Sequence, residues 1–210
     1  MRYLHILTLV LISPAIISAQ QVTHLKKNAI PASMIYKGDF SDAVKYADKE
    51  GTHTVIVTKA FITTPADDNE SVYTSQLHVF SYLQTAITTT LEWQLNDEAG
   101  PCGPDADSKL RPGSLTITDL DHNGIDEVWF VYRTSCQDAL SPNPMKVIMR
   151  EGVKKYAIRG TTHLKLKHPK TSPYIGGDYT ADENFKAAPQ SFRDYANQLW
   201  MKNREEAGAY

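Results

Sequence analysis

An antiparallel β protein closed by one C-terminal helix is the fold that this 210-residue sequence predicts. Three observations carry it: two-residue alternation through most of residues 36–162, glycine-bearing turns between the alternating runs, and an apolar stripe of helical period in residues 189–206. Composition agrees with one ordinary globular domain spanning 20–210. Lys and Arg total 22 against 24 Asp and Glu, and 41% of residues are hydrophobic. That balance excludes disordered, collagenous and coiled-coil classes, and the absence of a basic excess argues against a dedicated nucleic-acid binder.

The elements follow in order. Residues 1–19 begin with Arg2, continue through an apolar run, break at Pro14 and end in Ser18-Ala19, the order of a cleaved secretory signal. The alternative is a retained anchor helix, which Pro14 and the shortness of the run disfavour, so no membrane span is expected after cleavage. Residues 43–47 and 53–61 flank Asp48-Lys49-Glu50-Gly51, a hairpin signal. In residues 71–84, Tyr73, Leu77, Val79 and Leu83 share one face, with Gln76 and His78 opposite. Leu91, Trp93 and Leu95 place a further strand in residues 88–96, paired back on its predecessor. Residues 97–112, rich in Gly, Pro and Asp, read as a long irregular stretch, and Asp97-Glu98 as solvated loop acids. Strands resume at 114–118 and 127–133, and residues 145–150 and 155–159 form a hairpin about Glu151-Gly152-Val153. In the final segment Phe192, Tyr195, Ala196, Leu199 and Trp200 line one helical face, with Pro189 suited to the first helical position.

Export gives the two cysteines a meaning. Cys102 and Cys136 both lie in loop-like sequence, and an even count in an oxidising compartment predicts a disulfide. No Cys-x-x-Cys suggests redox catalysis.

The sharpest chemical signal is Asp119 to Glu127, DLDHNGIDE. Asp119, Asp121, Asn123 and Glu127 occupy its first, third, fifth and ninth places, Gly124 marks a sharp turn, and the Ile125 carbonyl stands at the seventh. Calcium takes about six to eight oxygen ligands, and alternate residues of a tight loop can aim several at one point. Phe130 stands where an EF-hand needs its bidentate Glu, so the loop is not one. It resembles the calcium loops between strands of integrin-type and bacterial β-propeller repeats, with Glu127 in place of the usual Asp. The competing reading is an Asx-rich turn that holds no ion. A structural Ca²⁺ is the expectation, because carboxylates crowded into one bend repel each other without a cation.

Weaker signals lie elsewhere. Lys154, Lys155, Arg159, His163, Lys165 and Lys167 fall in a stretch free of acidic residues, a candidate face for a polyanion such as an acidic glycan or lipid phosphates. A solvated strand face is the plainer alternative. No G-x-S-x-G, H-E-x-x-H or phosphate-binding glycine loop occurs, and no catalytic residue is nominated.

The stretch 119–162 resembles a family of exported bacterial proteins associated with surface polysaccharide biosynthesis. The matching features are the D-L-D-x-[DN]-G-I-x-E loop, the Tyr-Arg-x-x-Cys segment ending at Cys136, Ser141-Pro142, and Lys155-Tyr156-Ala157-Ile158-Arg159-Gly160. The resemblance implies a role in making or displaying a cell-surface glycan and supplies no reaction. The resulting expectation is a periplasmic or secreted, calcium-stabilised, non-catalytic protein whose partners are an acidic glycan or another envelope protein. An envelope carbohydrate-active enzyme and a structural envelope protein without glycan contact are the alternatives.

Overall fold

The computed structural model describes residues 21–66, 70–136, 141–165 and 174–207. The leader, Asp67-Asp68, Lys167 and His168 lie outside the described residues. The chain is mainly β, as the alternation predicts. β1 (Thr23–His24), β2 (Asp39–Ala47), β3 (Thr52–Pro65), β4 (Ser71–Gln84) and β5 (Thr89–Cys102) form one sheet in sequential antiparallel order. β6 (Asp107–Leu110), β7 (Thr116–Thr118), β8 (Glu127–Ser135), β9 (Pro144–Glu151) and β10 (Lys154–Thr161) build a second. β11 (His163–Lys165), β12 (Tyr174–Gly176) and β13 (Tyr179–Ala181) are short; β13 pairs with the outer edge of β10. The helices α1 (Glu183–Lys186) and α2 (Gln190–Asn203) follow, and β14 (Glu205–Ala207) pairs in parallel with β11.

Alternation decides which side chains meet. Val44, Val55, Val57, Leu77, Val79, Trp93 and Leu95 from the first sheet pack against Val128, Phe130, Tyr132, Ile148 and Ala157 from the second. The opposite face of the second sheet presents Trp129, Val131, Val147, Met149, Tyr156 and Ile158 to Phe185 of α1 and to Phe192, Ala196, Leu199 and Trp200 of α2. The helical stripe is therefore core-facing. Gly160 shows how closely the β10 edge is approached: a Cβ there would lie 1.9 Å from the Asp178 carbonyl oxygen.

Several boundaries differ from the sequence reading. The first sheet is buried on both faces, because residues 25–40 strap its outer side and bring Leu25, Ile30, Met34, Tyr36 and Phe40 onto Ile56, Phe80 and Tyr82. His78, expected on a polar face, is thereby buried and bonds Asn96 Oδ1 through Nδ1 at 2.7 Å. The stretch 97–112 is not one irregular loop: β5 continues to Cys102, and β6 follows. Asp97 is held in β5, where it accepts the Tyr132 hydroxyl at 2.5 Å and pairs with Lys146, so it is not a solvated loop acid. Pro189 caps α2 rather than opening its first turn, and the helix ends at Asn203. Glu206 then draws β14 inward through Arg111 and Arg133, each at 3.4 Å, and through the Thr162 hydroxyl at 2.7 Å. Cys102 and Cys136 form the expected disulfide, with Cα atoms 5.7 Å apart. No helix among the described residues is long and apolar enough to cross a membrane.

Candidate metal centre

The acidic loop joins β7 to β8, so two paired strands fix both of its ends. His122 and Gly124 both have positive φ, 57° and 78°, which turns the chain back on itself within a few residues. This bend brings carboxylate oxygens of Asp119, Asp121 and Glu127 within 4.8 Å of one another.

The three carboxylates are held in different ways. Glu127 is fully buried; its Oε2 accepts the Thr118 hydroxyl at 2.5 Å and the Leu120 amide at 3.0 Å. Burial nevertheless pushes its pKa up to about 7, opposed by those hydrogen bonds and assisted by the Asp121 and Asp119 charges. Asp119 Oδ2 accepts the Gly124 amide at 3.3 Å, whereas its Oδ1 is buried without a hydrogen-bond partner. Asp121 is exposed and accepts the Asn123 amide at 3.2 Å. A cation at the centre of this triad would offset the repulsion among the three groups and give the Asp119 oxygen a partner.

Asn123 has other work in the loop. Its Oδ1 accepts the Ile125 amide at 2.7 Å, and its Nδ2 donates to Asp121 Oδ2 at 3.0 Å and to Glu151 Oε1 at 2.6 Å. The structure thus brings Asp119, Asp121 and Glu127 together and uses the Asn123 side chain to shape the bend.

The supports contributed by distant residues were invisible to the sequence reading. Lys49 Nζ donates to the Asn123 carbonyl at 2.8 Å, the Lys49 amide donates to the Gly124 carbonyl at 3.1 Å, and the Asp126 amide donates to Asp48 Oδ2 at 3.2 Å. The β2–β3 turn is therefore docked on the loop. Beside this contact opens a cleft of about 820 Å³, lined in part by Tyr46, Asp48, Asp119 and Asp126. The residues involved are more than 70 positions apart, and only the folded sheet brings them together.

Behind the turn, His53 is buried between two acids. Its Nε2 lies 3.0 Å from Asp48 Oδ1, its Nδ1 lies 3.4 Å from Glu92 Oε2, and its ring stacks on Tyr46 at 4.7 Å. Burial opposes the charged ring, but the Glu92 and Asp48 carboxylates outweigh it and raise the pKa. A raised histidine pKa stabilises the fold fully below the unfolded value of about 6.5, and the gain is lost as pH rises through the folded pKa. We expect a thermal midpoint that declines with pH over that window and a flatter profile for His53→Gln. A parallel decline in both proteins would refute the assignment.

The sequence-predicted basic residues do not share one surface. Lys154 and Lys155 are neighbours on β10 and so point to opposite faces. Lys154 lies over the Tyr156 ring, and His163 pairs with Glu205 at 2.8 Å while stacking on Tyr174. Lys165 is exposed at the end of β11. Lys155 and Arg159 remain on a common face.

Fold and centre together define a disulfide-bridged β protein of two large sheets and a small three-stranded one, with an acidic loop between adjacent strands. No family model, curated protein or solved structure matches the chain.

Proposed function

We propose that this is an exported, calcium-stabilised, non-catalytic protein that assists the assembly or display of a cell-surface polysaccharide by contacting glycan. The observation that carries the metal half is Asp119 Oδ1, a carboxylate oxygen withdrawn from water and left without a donor beside Asp121 and Glu127. Asp119, Asp121 and Glu127 would supply the first ligands, and oxygens of a hard-cation site suit Ca²⁺. The ion would act on structure: it would tie the end of β7 to the start of β8 while the docked β2–β3 turn closes over the bend. The disulfide supports export, since such bonds persist in oxidising compartments.

Thermal unfolding tests the metal. With an affinity on the order of 10⁻⁴ M, as in extracellular modules, about 10 mM Ca²⁺ should add about 2.7 kcal/mol of stability. For a chain of this size that is a rise in midpoint of about 5–10 °C over protein in chelator. Asp121→Ala should abolish the rise, because Asp121 is exposed and its loss leaves the core intact. An identical midpoint with calcium and with chelator would remove the ion from the account.

Incubation with polysaccharides tests the rest. The parent protein should sediment with a purified surface glycan and release no new reducing ends. Release of reducing ends would establish an enzyme instead, and failure to bind any glycan would leave an envelope structural protein.

A further inference from the structure

β3 outruns its neighbour on one side. Its pairing with β2 ends where Asp39 stands opposite Lys59, whereas β4 accompanies it as far as Pro65, opposite Ser71. Gly38 sets that limit. Its φ is 87°, and the chain passes so close to β3 that a Cβ there would lie 2.8 Å from the Lys59 carbonyl oxygen. Residues 60–65 therefore have β4 on one side and, among the described residues, no strand on the other. At this open edge lies a cleft of about 420 Å³, lined by Asp39, Phe40 and Ser41 of β2 and by Lys59, Ala60 and Phe61 of β3. The register of β2 shifts between Phe40 and Asp42, an irregularity of the kind that re-aims side chains beside binding sites.

Phe61 has different surroundings on its two sides. Toward β4 its ring stacks on Tyr73, with centres 5.6 Å apart and planes 28° from parallel. Toward β2 it borders the cleft, and the side chain is 52% exposed. Alternation puts Phe61 on the same face of the sheet as Lys59, and Asp39, directly opposite Lys59, shares that face. Lys59 Nζ donates to Asp107 Oδ1 at 2.5 Å, so its charge is already engaged. The side chains of Asp39 and Ser41 are exposed and make no hydrogen bond or ion pair among the described residues. The cleft thus joins an open aromatic surface to a carboxylate that accepts hydrogen bonds and a hydroxyl that can both donate and accept.

We propose that this cleft is a saccharide subsite, in which Phe61 stacks on the apolar face of a neutral pyranose unit while Asp39 and Ser41 hydrogen-bond its hydroxyls. This rests on the reading of the protein as a glycan-contacting module and gives that reading a surface and a sugar class. A pyranose carries C–H bonds on its ring faces and hydroxyls around its rim. The weakly positive C–H bonds suit the negative face of an aromatic ring. The cleft volume falls at the lower end of the range of about 300–1,000 Å³ usual for ligand sites, which suits a short saccharide segment. An acidic sugar would set its carboxylate against Asp39 while the nearby Lys59 is held by Asp107. A peptide strand added to the open edge is disfavoured, because the free run is short and Pro65 removes one of its donors.

Calorimetric titration tests this with two neutral polysaccharides, dextran and galactomannan, and one acidic polysaccharide, alginate, at low and at physiological salt. The parent should bind a neutral polysaccharide with an affinity that changes little with salt, since stacking and neutral hydrogen bonds are not screened. Phe61→Ala should weaken that binding about tenfold or more, and Phe61→Tyr, which keeps the ring, should retain it. Asp39→Asn should weaken it as well. That exposed position serves if Phe61→Ala unsettles the β3–β4 hairpin, which thermal unfolding of each variant would reveal. Equal binding by the parent, Phe61→Ala and Asp39→Asn would overturn the site while leaving the glycan reading in place. Binding to alginate alone would overturn the neutral sugar class. Binding to none of the three would overturn this inference, whereas the glycan reading itself falls only with the purified surface glycan. Dimers in sedimentation that Phe61→Ala dissociates, without any polysaccharide binding, would assign the open edge to a second copy of the chain.

Discussion

Replacing Cys102 and Cys136 together by serine is expected to cost about 4 kcal/mol, which is the chain-entropy value for a closed loop of this length. The bridge joins residues 34 positions apart. It ties the end of β5, in the first sheet, to the residue that follows β8 in the second. Everything between, including β6, β7 and the acidic loop, is held within that loop, so the unfolded chain gains much of its lost freedom when the bridge is removed. The native chain has other ties at this point. The Ser108 amide donates to Ser75 Oγ at 2.9 Å, and the Ser108 hydroxyl donates to the Ser75 carbonyl at 2.7 Å. The effect should therefore fall on stability and leave the architecture intact, lowering the thermal midpoint by about 8–16 °C. Urea and thermal unfolding of parent and double-serine protein check it. The calcium response of the variant should persist, because neither cysteine touches the acidic triad. An unchanged midpoint would mean that the folded chain gains nothing from the covalent tie.

The same bridge shows which parts of the molecule local sequence can reveal. Cys102 and Cys136 were legible as a pair from their number and setting, and β4 was legible to the residue from its alternation. α2 was visible because Phe192, Ala196, Leu199 and Trp200 repeat at helical spacing and all are buried. β5 was cut short because Asp97, Gly100 and Pro101 carry loop chemistry. What keeps Asp97 in a strand is Lys146 and Tyr132, partners supplied by the other sheet. β14 escaped notice for a related reason: its hold is Glu206 among Arg111, Arg133 and Thr162, a set assembled only by long-range pairing.

The centre divides along the same line. The spacing of Asp119, Asp121 and Glu127 suffices to converge their carboxylates, because one tight bend with Gly124 at positive φ does the geometric work. The docked turn of Asp48 and Lys49 carries no local signal. The basic residues were grouped by reading along one strand. Contiguous sequence grouped Lys154 with Lys155, whereas the pleat separates them and the register sets Lys155 opposite Arg150 on the face that also carries buried Ile148 and Ala157. Register is a property of two strands, and neither strand's sequence contains it.

Trp129→Ala is expected to be the most damaging single substitution in the second core, at about 3–5 kcal/mol. The side chain is fully buried, and its ring centre lies 4.9 Å from that of Tyr195, 6.0 Å from Phe185 and 6.2 Å from Phe192. Its loss would open a cavity between the sheet and both helices and lower the midpoint by about 6–20 °C. Trp129 also reaches the acidic loop. Its Nε1 donates to Thr118 Oγ1 at 2.8 Å, which leaves the Thr118 hydroxyl proton aimed at Glu127 Oε2, 2.5 Å away. The indole thus sets the orientation of a hydroxyl that in turn fixes a proposed metal ligand, an arrangement in which an outer partner tunes the inner one. Trp129→Phe separates the two roles, since it keeps an aromatic ring in the core and removes the donor. It should retain more stability than the alanine variant yet show a smaller calcium-induced rise than the parent. Phe192→Leu, which disturbs the same core without touching Thr118, should lose stability and keep the full rise. Equal calcium responses in the parent and Trp129→Phe would show that Thr118 orients Glu127 without help, and that the helical core and the acidic loop are energetically independent.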